Sequence, residues 1–443
     1  MTGVLTLVVL VAFETIAVAT AMPVIASELS ALAFYAWGFS AVIVGQLFAT
    51  VVAGELCDRH GPTPPLVAGC IVFAAGLLVA GSSVSMLVFV VGRFLQGLGG
   101  GAMFVSLFVV IGRGIPADLR PRAFSYQSTA WLMPALLGPF VAGAVAEHLS
   151  WRWLFFGLLV FVPLPMAFVL PRIRHLSLEP VDGRPRPHRA LPAAAVAIGV
   201  ASLQYAGQVL TWWSIPLAAV AVVLIVPGVR RLLPPGTLTA RTGIPAIVVQ
   251  RGVLAGCFFG AEVFVPLVLV DVRGLSPTLA GLTLTAGAIG WTAGSWIQGH
   301  GHIRFGRERL VFAGACFITL AICLVYLVVF DSVPPAVAAV AWAIAGLGMG
   351  LSMASLAVLL FANTEAGSAG QDSASAAMCD TLGQVTMVGI AGVLFAYLHV
   401  RTGAVGTFLP IAGVMAALGV VGVAVATRLP GEASRKAPDQ VPA

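Results

Sequence analysis

Besides Arg251, four ionisable side chains stand inside long apolar runs: Glu14, Arg93, Glu262 and Asp380. At a bilayer centre each such group costs at least about 2.5–3.5 kcal/mol on insertion scales, which makes each a functional candidate. Glu14 lies near the middle of the first run, in Phe13-Glu14-Thr15-Ile16 with Met22-Pro23 after it. Low dielectric disfavours a charged carboxylate and lets such a group exchange a proton at physiological pH. A cationic or polar substrate would compete for the same group. The alternative is a carboxyl held permanently protonated against a neighbouring helix.

Arg93 stands with Gln96 and Gly97 in the fourth run. A guanidinium does not shed its charge, so Arg93 requires a buried carboxylate from another helix. If that partner changes as the protein changes shape, Arg93 modulates a proton site; if it is fixed, the pair is structural. Glu262 is, by order, the second-half counterpart of Glu14. Asp380 is expected near the polar end of its run, with Gln384 one turn on, as Gln127 shares a face with Trp131. Gln96, Gln127, Trp131, Glu262, Asp380 and Gln384 are expected to line a substrate cavity. The six cysteines include no Cys-x-x-Cys, and no nucleophile–base set or metal-ligand cluster appears. An enzyme, a metal site and a cofactor are therefore not expected.

Something must hold these residues in lipid. Hydrophobic residues make up 59% of the 443 and charged residues only 9%, against roughly 45–50% apolar usage in soluble domains. The chain reads as an all-α polytopic membrane protein with membrane lipids as its solvent. The net charge of +6 does not imply nucleic acid, because the basic residues sit in short segments between apolar runs. About 20 apolar residues span the hydrocarbon core, and fourteen runs qualify. The first six are 4–25, 36–55, 66–82, 86–111, 124–146 and 152–170. A shorter pair follows at 191–209 and 212–227. The last six are 246–270, 278–298, 309–330, 336–361, 375–398 and 404–427. The first is expected to be a retained span, since it lacks a basic leader and carries Glu14. Arginines crowd the even-numbered connections and the tail, which predicts both termini in the cytoplasm of a plasma (inner) membrane.

The Pro- and Arg-rich stretch after residue 170 divides the chain. Gly97-Leu98-Gly99-Gly100-Gly101 in run four recurs as Gly346-Leu347-Gly348-Met349-Gly350 in run twelve. These spacings predict two six-helix bundles, 1–171 and 244–429, with two inserted helices and their linkers at 172–243 and a tail at 430–443. In run five, Pro134, Gly138, Pro139 and Gly143 are expected to kink the helix. Trp151, Trp153, Trp212 and Trp213 at run ends read as interfacial anchors.

Between runs two and three lies a short charged turn, Gly54-Glu55-Leu56-Cys57-Asp58-Arg59-His60-Gly61. Its pattern G-x-L-x-D-R-x-G resembles the loop 2–3 signature of the major facilitator superfamily. Arg93-x-x-Gln96-Gly97-x-Gly99 is similar to that family's helix-4 motif, and Gly138-Pro139-x-x-Ala142-Gly143 to the helix-5 motif of its proton-coupled exporters. Trp151-Arg152-Trp153 and the acid-Thr-Ile…Met-Pro pattern of run one resemble the fourteen-helix drug:proton antiporter branch. The resemblance implies the major facilitator fold, proton coupling through Glu14 and Arg93, and a gating latch made of Gly54, Asp58, Arg59, Gly61 and Arg113. It departs from the family pattern at Pro62 and Thr63, where basic residues are usual, and at Pro134 and Ala142, where glycines are usual. The function expected is a monomeric, proton-coupled exporter of lipophilic or amphipathic compounds, a multidrug efflux antiporter working by alternating access. The other readings are an exporter of an endogenous lipid, siderophore or secondary metabolite, an importer or facilitator of a metabolite, and a non-transporting membrane receptor or scaffold.

Overall fold

The computed structural model describes residues 2–114, 130–173, 190–209, 212–299, 306–364 and 369–430. Their regular structure is helical throughout. The chain opens with α1 (Thr2–Glu28), α2 (Trp37–His60), α3 (Thr63–Gly81) and α4 (Met86–Gly114). Next come α5 (Leu132–His148), α6 (Arg152–Phe161) and α7 (Pro163–Ile173), then α8 (Ala190–Val209) and α9 (Ser214–Leu232). The remainder is α10 (Ile244–Glu262), a short α11 (Val265–Leu267), α12 (Pro277–Gly299), α13 (Arg307–Val325), α14 (Ala336–Asn363), α15 (Ala369–Leu398) and α16 (Ala404–Ala426). Eleven segments among the described residues are long and apolar enough to cross a membrane. The other three runs read from the sequence coincide with α5, α8 and α12. Of these, α5 and the apolar part of α8 fall short in length, while α12 has the length but not the hydropathy.

Glycine decides how the helices approach one another. A Cβ on Gly97 would strike the Val42 carbonyl oxygen of α2, and one on Gly101 would stand 2.7 Å from that of Gln46. Gly99 points the other way, where a Cβ would lie 2.5 Å from the Gly69 carbonyl of α3. The i, i+2, i+4 spacing thus wedges α4 between α2 and α3, backbone against backbone. The same wedge recurs later. Gly346 and Gly350 abut Gly287 and Trp291 of α12, while Gly348 abuts Gly314 of α13. The repeated glycine run is a repeated packing device.

Three sequence expectations change in detail. Residues 54–60 are not a loop but the last turns of α2, because nothing between Trp37 and His60 breaks a helix. The turn itself is at Gly61, whose φ of 79° suits glycine and whose N–H still reaches the Cys57 carbonyl at 3.0 Å. Pro134 falls in the first turn of α5 within the described residues, where a missing N–H breaks no bond, so it is not an interior kink. Pro139 alone is a proline in the interior of α5. Trp151 is no interfacial anchor: it is 1% exposed, and its indole N–H donates to Glu28 Oε2 at 2.7 Å. Trp153, Trp212 and Trp213 are exposed.

The helix α8 packs against both α2 and α15. Gln204 donates to Ser40 Oγ at 2.8 Å in that interface, and a Cβ on Gly207 would strike Val393. At the Glu28 end, α1 and α5 meet α12: a Cβ on Gly281 would lie 2.7 Å from Thr20 Cγ2 and 3.0 Å from Pro139 Cβ. Glu147 Oε1 accepts the Thr278 N–H at 2.8 Å, capping the exposed start of α12 from α5.

Candidate functional site

Glu14 and Arg93 meet. Pro23 and the Met22–Gly38 contact set the course of α1 against the start of α2, and the glycine wedge draws α4 close to α2. Arg93 Nη1 then pairs with Glu14 Oε1, while Nε donates to the Gly38 carbonyl at 2.8 Å. Nη1 also donates to Gln96 Oε1 at 2.8 Å, one turn along α4. Glu14, Arg93 and Gln96 are only 1%, 2% and 1% exposed. Gln96, expected on a cavity wall, is instead sealed inside this cluster, because its amide oxygen shares the guanidinium. Its Nε2 is a buried donor without a partner among the described residues. The arrangement pairs the charge of Arg93 with a carboxylate held deep in the helical core.

A second ion pair was not read from the sequence. Arg251 of α10 donates from Nε to both oxygens of Asp380 at 3.1 Å, and Nη2 closes the fork. The helix α15 begins at Ala369 and its apolar span at Ser375, so Asp380 lies in the second turn of that span. Gly252 and Gly383 bring the two backbones together at this point. The missed signal was Arg251 itself, an arginine inside an apolar run. Gln384, one turn after Asp380, is partly buried.

Glu262 sits where α10 breaks. Pro266 lacks the N–H that would bond the Glu262 carbonyl, and the chain continues through α11 into a π turn at Val268–Val272. The carbonyls on either side are held by tyrosines. Tyr326 donates to Ala261 and Tyr35 to Val263, both at 2.8 Å. The Glu262 side chain is partly buried. Trp131 caps the start of α5 and lines an apolar pocket with Leu7, Val8, Val11, Gly100, Met103, Phe104 and Leu107. That pocket lies one turn beyond the Glu14 cluster on α1 and α4.

The expected latch is only partly visible. Gly54 and Arg59 lie on the final turns of α2, and a Cβ on Gly54 would meet open space. The side chains of Asp58 and Arg113, and all of Gln127, lie outside the described residues. Gly138 abuts Ile16 of α1, and Gly143 abuts Thr278 of α12, so the α5 glycines serve as contact points between helices.

Long apolar helices packed through glycine, with ionised pairs in their midst, define an integral membrane protein. The chain belongs to the Major Facilitator Superfamily, whose model matches residues 4–388. An uncharacterised MFS-type transporter of Mycobacterium tuberculosis, Rv1877, is 27% identical over 363 residues, covering 78% of this chain and 52% of that protein. The chain thus spans about half the length of that relative. The multidrug transporter protein MdtP of Bacillus subtilis is 26% identical, over 81% of this chain and 68% of MdtP. The multidrug efflux pump SdrM of Staphylococcus aureus is 22% identical, over 63% and 64%. Among solved structures, the POT family transporter PepTSo superposes with a TM-score of 0.72 at 13% identity, over 96% of this chain and 98% of that one. A D-xylose–proton symporter gives 0.67 at 16%, over 96% and 97%. These likenesses show the fold. The family and these relatives are transporters.

Proposed function

We propose that this transporter is a proton-coupled exporter of lipophilic or amphipathic compounds working by alternating access. The observation that carries the reading is the sealed Glu14–Arg93–Gln96 cluster on α1 and α4. A buried carboxylate beside a guanidinium gains or loses a proton only if its partner moves, so a shape change that parts them converts rocking into proton exchange. Two relatives named for multidrug transport or efflux support the same class.

In this reading the protein has fourteen spans, as two six-helix halves at 1–171 and 244–429. The α8–α9 pair is inserted between them, the termini are cytoplasmic and the membrane is the plasma membrane. The two glycine wedges support the division into halves. The Glu28 end is then the outer face, and the Tyr35, Glu147 and Gly281 contacts close it. Asp58, Arg59 and Arg113 form the opposing cytoplasmic latch.

An efflux panel in a host lacking its own pumps tests the proposal. Expression should lower accumulation of at least one lipophilic dye, and a proton uncoupler should abolish the difference. Unchanged accumulation across the panel, or efflux indifferent to the uncoupler, would refute it.

A further inference from the structure

The helix α8 lies outside both sequence halves yet packs against α2 of the first and α15 of the second, and α2 and α15 also touch each other. It therefore covers a seam where the two halves meet. Gln204, 2% exposed, sits in that seam. Its Nε2 donates to Ser40 Oγ at 2.8 Å, and the fully buried Ser40 donates in turn to the Ala36 carbonyl at 2.6 Å. Ser40 stands at the start of α2, close to Tyr35, whose ring lies 6.3 Å from that of Phe395 on α15. Any opening of the Glu28 end widens this seam, so α8 cannot keep its contacts with both helices.

The two contacts are held by different forces. Towards α2 there is a relay of two hydrogen bonds, in a span where lipid offers no replacement partner. Breaking it would strand a buried amide and a buried hydroxyl. Towards α15, Gln204 presents Oε1, which has no partner among the described residues, and a Cβ on Gly389 would stand 3.5 Å from it. Nearby, Gly207 turns a bare backbone to Val393, where a Cβ would lie 2.4 Å from Cγ2. Apolar contacts of this kind are exchanged for lipid at little loss, because acyl chains are as apolar as the side chains they replace. The helix α9 is seated on α8 through Gly199 against Ile225 and Gly228 against Val196.

We infer that α8 and α9 move with the first half as one body, and that α8 is a fixed cover over the α2–α15 seam past which Gly389 and Val393 slide. The inference rests on the alternating-access reading and assigns the inserted pair to one of the two moving parts. Gln204 is the positioning residue that holds the cover on α2.

The test uses the full chain in proteoliposomes, in a background without the native cysteines. A Cβ on Gly207 would lie 3.2 Å from Val393 Cβ, near the roughly 3.5–4.5 Å that a disulfide spans. Oxidising Gly207→Cys/Val393→Cys should stop dye transport, and reductant should restore it. A short bis-methanethiosulfonate bridge in Ser40→Cys/Gln204→Cys should leave transport within twofold of the unbridged protein. Transport that survives the first bridge, or stops with the second, overturns the inference. Spin labels then follow α8–α2 and α8–α15 distances at acid and alkaline pH, and in Tyr35→Phe, which removes the Tyr35–Val263 bond at the Glu28 end. The α8–α2 distance should hold and the α8–α15 distance should lengthen. An α8–α15 distance fixed under every condition overturns the inference too. These distances need no cargo, so the two claims separate. A moving α8–α15 distance without proton-driven flux defeats the exporter reading alone, and flux with α8 fixed to α15 defeats this assignment alone.

Discussion

Tyr35 donates its hydroxyl to the Val263 carbonyl at 2.8 Å, joining the α1–α2 connection to the break in α10 across 228 residues of sequence. Its ring is fully buried and packs with Phe39, Phe264 and Phe395 at centroid distances of 5.5–6.3 Å. In the proposed cycle this bond must break whenever the Glu28 end opens. Tyr35→Phe keeps the ring and strands the carbonyl, a change worth about 1–3 kcal/mol for a buried acceptor. Spin labels on the connections at the Glu28 end should report a larger open population than in the wild type. Identical distance distributions in the two proteins would show that the bond does not hold this end.

Glu147 and Thr278 make the second contact of this kind, carboxylate to helix start. A short bis-methanethiosulfonate bridge, joined by disulfides to cysteines at 147 and 278 in a background without the native cysteines, should stop transport, and reductant should restore it. Continued turnover with the bridge in place would mean that α5 and α12 do not separate.

The glycine wedge predicts opposite signs at neighbouring positions. Gly97→Ala drives a Cβ into the Val42 carbonyl, and overpacking of this kind costs about 1–3 kcal/mol. Gly100→Ala meets nothing within 4 Å and should gain about 0.5–1 kcal/mol from helix propensity. Thermal unfolding in detergent should therefore fall for the first and hold or rise for the second. Equal shifts would mean that α2 and α4 do not meet at Gly97.

Much of this was legible in the sequence. Apolar runs mark the helices because lipid leaves the backbone no other way to satisfy its polar groups. Glu14 and Arg93 were identifiable as interior charges needing partners, and the glycine spacing gave the closest approaches. What was not legible depended on tertiary contacts. Asp380 stands early in an apolar span that begins at Ser375, although its helix begins at Ala369, and nothing in that position pointed to a partner on α10. Arg251 was visible as an interior arginine, but its partner, 129 residues away on another helix, was not. Gln96 looked like a cavity residue, whereas the approach of α1 buries it beside Arg93. Gly54–Arg59 looked like a loop, since charge and glycine suggest a turn until the uninterrupted α2 is seen.

The Glu14–Arg93 pair makes a prediction about stability that does not depend on cargo. Removing one partner of a buried pair strands the other and costs about 3–5 kcal/mol, whereas removing both costs much less. Glu14→Gln and Arg93→Gln should each lower the unfolding temperature in detergent, and the double variant should recover part of the loss. A double variant worse than both singles would mean that the two charges do not compensate each other.

The most direct measurement of the central claim is proton-driven transport of a lipophilic dye by Glu14→Gln in proteoliposomes. Wild-type protein should move the dye against its gradient when a pH difference is imposed and stop when an uncoupler is added. The variant should insert and bind dye yet show no pH-driven accumulation. Undiminished accumulation by Glu14→Gln would contradict the account.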